Sequence, residues 1–299
     1  MPSTLSLHGA AQLIPFEVVT DSEFETLGFL GDPAPRMLTF AEDHKYLREA
    51  VHEAQVSAVL TTPELARTVP ARIGVAVTAF PRRDFFRLHN ALAHQTAFYG
   101  EPIASRIDES ARIHPRASVA PQGVVVGPDV TIEANAVIGS GCTLGCGVMV
   151  RAGAVLGSTG FQTCRDETGY IELKHTGSLL VEESVEIFAN ATIALGLFRQ
   201  TTRIGRETRI GNNAFVSHNV EVGPRTFVGH GAIVNGHVRI GREVWIGPRA
   251  VITNSVSIGD CARISLGSVV VSHLNPGEHV SGNFAVPHRR LLRHVASLK

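Results

Sequence analysis

In the segment GNNAFVSHNVEVG, His218 falls two places after Val216 and is flanked by the polar Ser217 and Asn219. Eighteen residues later comes Gly236, followed at once by His237. An imidazole next to a backbone N–H that no side chain shields is the smallest set of groups able to catalyse acyl transfer. The ring takes a proton from an attacking amine or hydroxyl, and the N–H stabilises the oxyanion that forms at the carbonyl. Histidine suits the first task because its ordinary pKa lies near neutrality. Glycine suits the second because it lets a substrate approach the main chain. A histidine that merely faces solvent is the alternative reading of the same residues.

For residues eighteen apart to meet, the chain must return on itself at that interval, and its aliphatic pattern has the right period. Ile204, Ile210, Val216, Val222, Val228, Val234, Ile240, Ile246, Ile252, Ile258, Ile264 and Val270 form an unbroken series at intervals of six. Shorter series in other phases precede it: Ile107, Ile113, Val119; then Val126, Ile132, Ile138, Leu144, Val150, Leu156; then Val181, Ile187, Ile193. The phase slips mark insertions. A period of six predicts a parallel β-helix in which three hexads make one triangular coil, the aliphatics stack inside, and successive coils rise by ~4.8 Å. The interior Ile and Val positions are then scaffold, and function belongs to outward residues and to interruptions. The largest interruption is 157–178, GSTGFQTCRDETGYIELKHTGS. A break of that length in a regular repeat predicts a substrate-facing loop, with a solvated decoration as the alternative.

Residues 1–100 have a different grammar and predict a small mixed α/β domain. TFAEDHKYLREAVHEA and RRDFFRLHNALAH have helical spacing, with Phe85, Leu88 and Leu92 on one apolar face, while VSAVLTT and IGVAVTAF have the composition of strands. The repeat region then occupies 101–280, and 281–299 forms a short tail or helix. The 27 Lys and Arg balance 27 Asp and Glu, so no overall charge steers the chain to nucleic acid. Cys142, Cys146, Cys164 and Cys261 form no CxxC pair and signal neither a zinc site nor a disulfide framework. No metal is expected. The opening residues lack the features of a signal peptide, and no apolar run approaches a membrane span. A cytoplasmic protein is the expectation.

Taken together, LTFAEDHKYL, GSTGF, VSHNVEVG and SGNFAVP resemble segments of the left-handed β-helix, hexapeptide-repeat acyltransferases, in particular the UDP-3-O-acylglucosamine N-acyltransferases of lipid A synthesis. The resemblance spans most of the chain. It implies left-handed coils, a homotrimer with active sites between subunits, and an acyl thioester of acyl carrier protein or coenzyme A as donor. The acceptor is a UDP-linked amino sugar, and no cofactor is tightly bound. His218 matches the family's catalytic base and Gly236 its oxyanion donor. Phe40 and Tyr46 match a pair of aromatics that clamp uracil, Asp43 stands where Asn is usual, and Phe161 opens the insertion that faces substrate. Ser255 replaces the family's second active-site histidine. Ala194 and Leu195 replace an Asp-Arg pair, so the acceptor pocket differs. His237 occupies a position where the sister O-acyltransferases carry histidine and, one coil below Ser255, could supply the missing imidazole. Asn283, in SGNFAVP, matches a loop that contacts coenzyme A in short-chain members. The family usually extends further beyond RRLLRHVASLK in helices that help to bind the carrier protein. Two other functions remain open at this point: an acyl-CoA-dependent transferase acting on another amine or a hydroxyl, and a non-enzymatic trimeric nucleotide-binding scaffold.

Overall fold

A computed structural model of the chain describes residues 4–101, 103–167, 169–283 and 288–298. In it the hexads pair as their spacing requires. Val216 lies beside Val234, Val234 beside Ile252, and Ile252 beside Val270, in parallel register eighteen residues apart. Repeated round the coil, this pairing gives three parallel sheets of 8, 8 and 9 strands among the described residues. The repeat aliphatics from Val126 to Val270 are buried in one continuous core. At the open first coil the rule weakens: Ile107, expected inside, is 49% exposed, and Ile113 and Val119 are only partly covered, because no coil lies beneath them.

Each short strand is followed by a sharp corner, and the corner residue adopts a left-handed conformation. Asn213, Asn219, Arg225, His237, Glu243, Arg249 and Ser255 all have φ between 54° and 60°. Asn and His are more tolerant of this region than most residues, while Arg and Glu hold it at some cost in backbone energy. Such a corner directs its side chain away from the core. His237 and Ser255 therefore both project from the same edge of the prism.

The first part of the chain forms a five-stranded sheet in the order Glu17–Thr20, Gly74–Val77, Val56–Thr61, Met37–Ala41, Thr26–Leu27. The first pair is antiparallel and the rest are parallel. The helix Pro81–Gln95 buries Phe85, Phe86, Leu88 and Leu92 with Leu38, Leu60 and Ala76 of the sheet, and the helix His44–His52 buries Leu47 with Met37, Ala41, Val59 and Val75. Thr39, Phe40 and Ala41, expected to begin a helix, lie in a strand instead. Their side chains alternate between the two faces as a strand requires, and the helix starts only after Asp43, whose carboxylate accepts the Tyr46 N–H at 2.8 Å.

The interruption at 157–178 has structure of its own. Thr163–Asp166 and Gly169–Glu172 pair as an antiparallel hairpin. Cys164 and Leu173 enter the core beneath helix Pro81–Gln95. Asn90 donates to the Glu172 carbonyl at 2.8 Å and accepts from the Lys174 N–H at 3.0 Å, and Arg87 pairs with Asp166 at 2.5 Å. A second, shorter excursion at 195–200 puts Leu197 and Phe198 into the same core. The solvated decoration does not describe the insertion: most of it is docked against the mixed α/β part. The helix His288–Ser297 ends the described chain. Four residues of SGNFAVP, 284–287, lie outside the described residues. No described helix is long and apolar enough to cross a membrane.

Candidate active site

His218 leaves the coil just after the strand Phe215–Val216, and Gly236 lies above it in the next coil. A Cβ placed on Gly236 would lie 2.5 Å from Cε1 of His218. The glycine is thus demanded by the imidazole that packs against it. The expectation that His218 faces outward holds with respect to the prism, yet the ring is not open to solvent: the residue is only 6% exposed. The insertion covers it. His175 stands 5.7 Å away, ring centre to ring centre, and Gly160 packs so closely that an added Cβ would lie 3.2 Å from Cδ2 of His218. The Gly160 N–H donates to Nε2 of His175 at 2.9 Å, which leaves the proton of a neutral His175 on Nδ1.

On its other side His218 meets His237, with ring centres 5.1 Å apart and planes at 82°. Burial first, and then the neighbouring His237 and His175, push the His218 pKa down to about 3. Burial likewise pushes His175 down to about 4. Both rings are neutral near pH 7. His218 can therefore accept a proton, but it is a weak base until something in the site favours its charged form.

Gly236 differs from expectation in one respect. Its N–H is not free, because it donates to Oδ1 of Asn254 at 3.1 Å. The reason lies in the repeat: Asn254 stacks one coil above and satisfies a corner N–H that would otherwise be unpaired. An oxyanion could use this N–H only by displacing or sharing the Asn254 oxygen.

His237 and Ser255 stack one above the other at successive corners and both line a cleft of about 710 Å³. The opposite wall is the loop from Leu30 to Pro35, and Asn219, Arg199, Arg203 and Arg239 complete the lining. Arg199 comes from the short excursion and donates to the Glu25 carbonyl at 2.8 Å. Arg203 pairs with Glu182, and Arg239 stands 3.9 Å from Glu221. Asn219 accepts the Leu197 N–H at 2.7 Å, tying the excursion to the coil that carries His218. Ala194 and Leu195 are buried and present no charge.

The structure thus brings together His218, Gly236, His237 and Ser255. It places the other candidates elsewhere. Phe40 packs against Phe85 and Phe29, with ring centres 5.0 and 6.3 Å apart. That is the sheet face covered by helix Pro81–Gln95, whereas Tyr46 is 51% exposed on the helix that covers the other face. Asp43 is occupied as that helix's N-cap. Phe161 is 87% exposed and lines no part of the cleft. Asn283 donates to the Gly267 carbonyl at 3.3 Å, near the last coil. Three contributors were missed in the sequence: His175, Arg199 and Asp32, whose Oδ1 is 3.1 Å from Nδ1 of His237. The first two lie inside interruptions of the repeat, which was the one available signal. Asp32 had none.

Parallel hexad coils with outward histidines on one edge define a hexapeptide-repeat transferase. The bacterial transferase hexapeptide (six repeats) family matches residues 201–236, and the hexapeptide repeat of succinyl-transferase family matches 117–158 and 237–272. A UDP-3-O-acylglucosamine N-acyltransferase from Maricaulis maris is 31% identical, across 98% of this chain and 91% of its own length. One from Azorhizobium caulinodans is 30% identical, across 100% and 93%. The chain belongs to the UDP-3-O-acylglucosamine N-acyltransferase family, and it is an acyltransferase built on a left-handed parallel β-helix. Among solved structures, a UDP-N-acetylglucosamine acyltransferase from Campylobacter jejuni covers 65% of this chain and 81% of its own, at 18% identity and a TM-score of 0.49.

Proposed function

We propose that this acyltransferase moves an acyl group from a thioester, carried by acyl carrier protein or coenzyme A, to the amino group of a UDP-linked amino sugar, as in lipid A or related surface-glycan synthesis. The observation that carries this reading is His237 on the wall of a cleft lined by three guanidiniums, with the His218 ring packed directly against it. A nucleotide sugar brings a pyrophosphate, and guanidinium groups are well matched to its oxygens. The acceptor nitrogen attacks the thioester carbonyl while His218 takes its proton. The Gly236 N–H, once it leaves Asn254, holds the resulting oxyanion. Collapse of the adduct expels the thiolate, which takes the proton back from His218. An anion in the cleft and the developing oxyanion both favour the imidazolium, so the base strengthens as substrate binds.

The same reading includes a homotrimer in the cytoplasm. On the outer face, Phe227 stacks on Trp245 at 4.4 Å, and Trp245 remains 47% exposed, an apolar surface that a neighbouring copy would cover. The uracil is assigned to the exposed ring of Tyr46, at the helix start that Asp43 caps, without Phe40, which lies on the opposite face of the sheet. The domain division at about residue 100, a substrate-facing insertion whose Gly160 and His175, rather than the exposed Phe161, lie against His218, and a donor contact at Asn283 complete the reading.

The test is release of free thiol from acyl carrier protein and coenzyme A thioesters, each with and without UDP-3-O-acylglucosamine. Thiol release that depends on the amino sugar, with an amide product, is expected. Release with UDP-N-acetylglucosamine and an ester product would instead make the chain an O-acyltransferase. Nucleotide binding without turnover of any thioester would make it a scaffold.

A further inference from the structure

Asp32 comes from the loop that faces the coils, and its carboxylate is buried, only 2% exposed. Burying a carboxylate is costly unless its oxygens find donors. Both do. Oδ2 accepts the Phe29 N–H at 2.7 Å, and Oδ1 lies 3.1 Å from Nδ1 of His237. The approach depends on local sequence: a Cβ on Gly28 would lie 3.3 Å from Oδ2, and Gly31 turns the chain with φ +84° just before Asp32. Phe29 holds the loop down, its ring 5.2 Å from Phe198 and 6.2 Å from His237.

An ionised carboxylate only accepts, so the ring nitrogen facing it must carry the hydrogen. In its neutral form His237 then has its proton on Nδ1 and a lone pair on Nε2. Neither other imidazole of the cluster has such a partner: His218 Nδ1 is buried with no protein partner, and His175 is bound through the Gly160 N–H. Nor is Asp32 committed to a guanidinium. Among the described residues its one ion-pair partner is His237, while the cleft's Arg203 and Arg239 are paired with Glu182 and Glu221.

We propose that Asp32 is a positioning residue for the transferase reaction. It fixes the tautomer and orientation of His237 so that Nε2 accepts a hydrogen bond from the acceptor in the cleft. In this way a residue of the mixed α/β part sets the imidazole that makes up for Ser255. The proposal rests on the functional reading above. A carboxylate behind an imidazole is the general device for holding one ring nitrogen as the donor and the other as the acceptor.

The experiment combines nitrogen-15 imidazole spectra of wild-type protein, with His237 assigned through His237→Gln, and steady-state kinetics of Asp32→Asn. The expected wild-type spectrum has His237 protonated on Nδ1. Asp32→Asn, which retains an acceptor for the Phe29 N–H, should shift that tautomer toward Nε2–H and lower kcat by roughly 10²-fold, with KM for the nucleotide sugar changed much less. In a His237→Ala background, Asp32→Asn should cost nothing further. An Nε2–H tautomer in the wild type overturns the proposal and requires no variant to fold. So does an Asp32→Asn protein with wild-type kcat, or rate losses that multiply independently. If the wild type turns over no thioester while His237 is protonated on Nδ1, the functional reading fails and the Asp32–His237 pairing survives it.

Discussion

Gly236 is where a single atom separates two explanations of the same residue. An oxyanion donor needs a bare backbone, but His218 alone already forbids a side chain there, since Cε1 would sit 2.5 Å from the new Cβ. Gly236→Ala must therefore push the imidazole aside. Misplacing a reacting group by about 1 Å can cost on the order of 10²-fold in rate, so kcat should fall at least tenfold. The thermal midpoint should move little, because the displaced ring lies outside the prism's core. Steady-state kinetics and a melting curve on the same variant decide the matter, and a wild-type kcat would mean that the ring's position is not catalytic. The spacing of His218 and Gly236 was legible because eighteen residues is one coil. The partnership of His237 with Asp32 was not, because no periodicity relates a loop of the first part to a corner of the repeat.

The insertion 157–178 covers His218 through Gly160 and His175, on either side of its hairpin, and the hairpin is held by helix Pro81–Gln95. Asn90 is the hinge of that attachment, with its two bonds to Glu172 and Lys174. His89 adds a third, its Nε2 lying 2.9 Å from the Lys174 carbonyl. Asn90→Ala should cost about 1–2 kcal/mol, the net worth of two hydrogen bonds, and should loosen His175 from its place over His218. Limited proteolysis should then cut within the insertion faster than in the wild type, with a lower kcat. Unchanged proteolysis would show that the apolar anchors Cys164 and Leu173 suffice. The sequence marked this segment as an interruption and pointed to a loop, not to a hairpin. Where it docks depended on the helix surface offered to it.

Among the described residues, three histidines are held below their ordinary titration range by burial. His218 is pushed down to about 3, and His89 and His175 each to about 4. In the unfolded chain such groups titrate near 6.5. The unfolded state therefore binds more protons in the interval between, and stability falls as pH falls through it. The contribution is fully present above about pH 6.5 and is lost progressively toward pH 3 to 4. The unfolding midpoint should be level on the alkaline side of this window and decline below it. His175→Gln should flatten the decline by removing one of the titrating groups. A midpoint that rises as pH drops through the window would contradict this account.

The prism was legible at the level of single residues. A β-branched aliphatic every six positions has one low-energy solution, stacking inside parallel coils, and a local period of that kind repeats its own instruction at each turn. Exceptions appeared where repetition stops: Ile107 at the uncovered end, the strand at Thr39–Ala41, the hairpin in the insertion. The family resemblance and the coil spacing together pointed to His218, Gly236, His237 and Ser255, which do share one edge. Phe40 and Tyr46 were joined by the family resemblance, yet the pleat of a strand and the placing of the next helix sent them to opposite faces of a sheet. The burial of His218, the engaged N–H of Gly236 and the carboxylate behind His237 come from packing between segments far apart in the chain. Such contacts depend on the shapes of two finished surfaces, and no spacing along the chain encodes them.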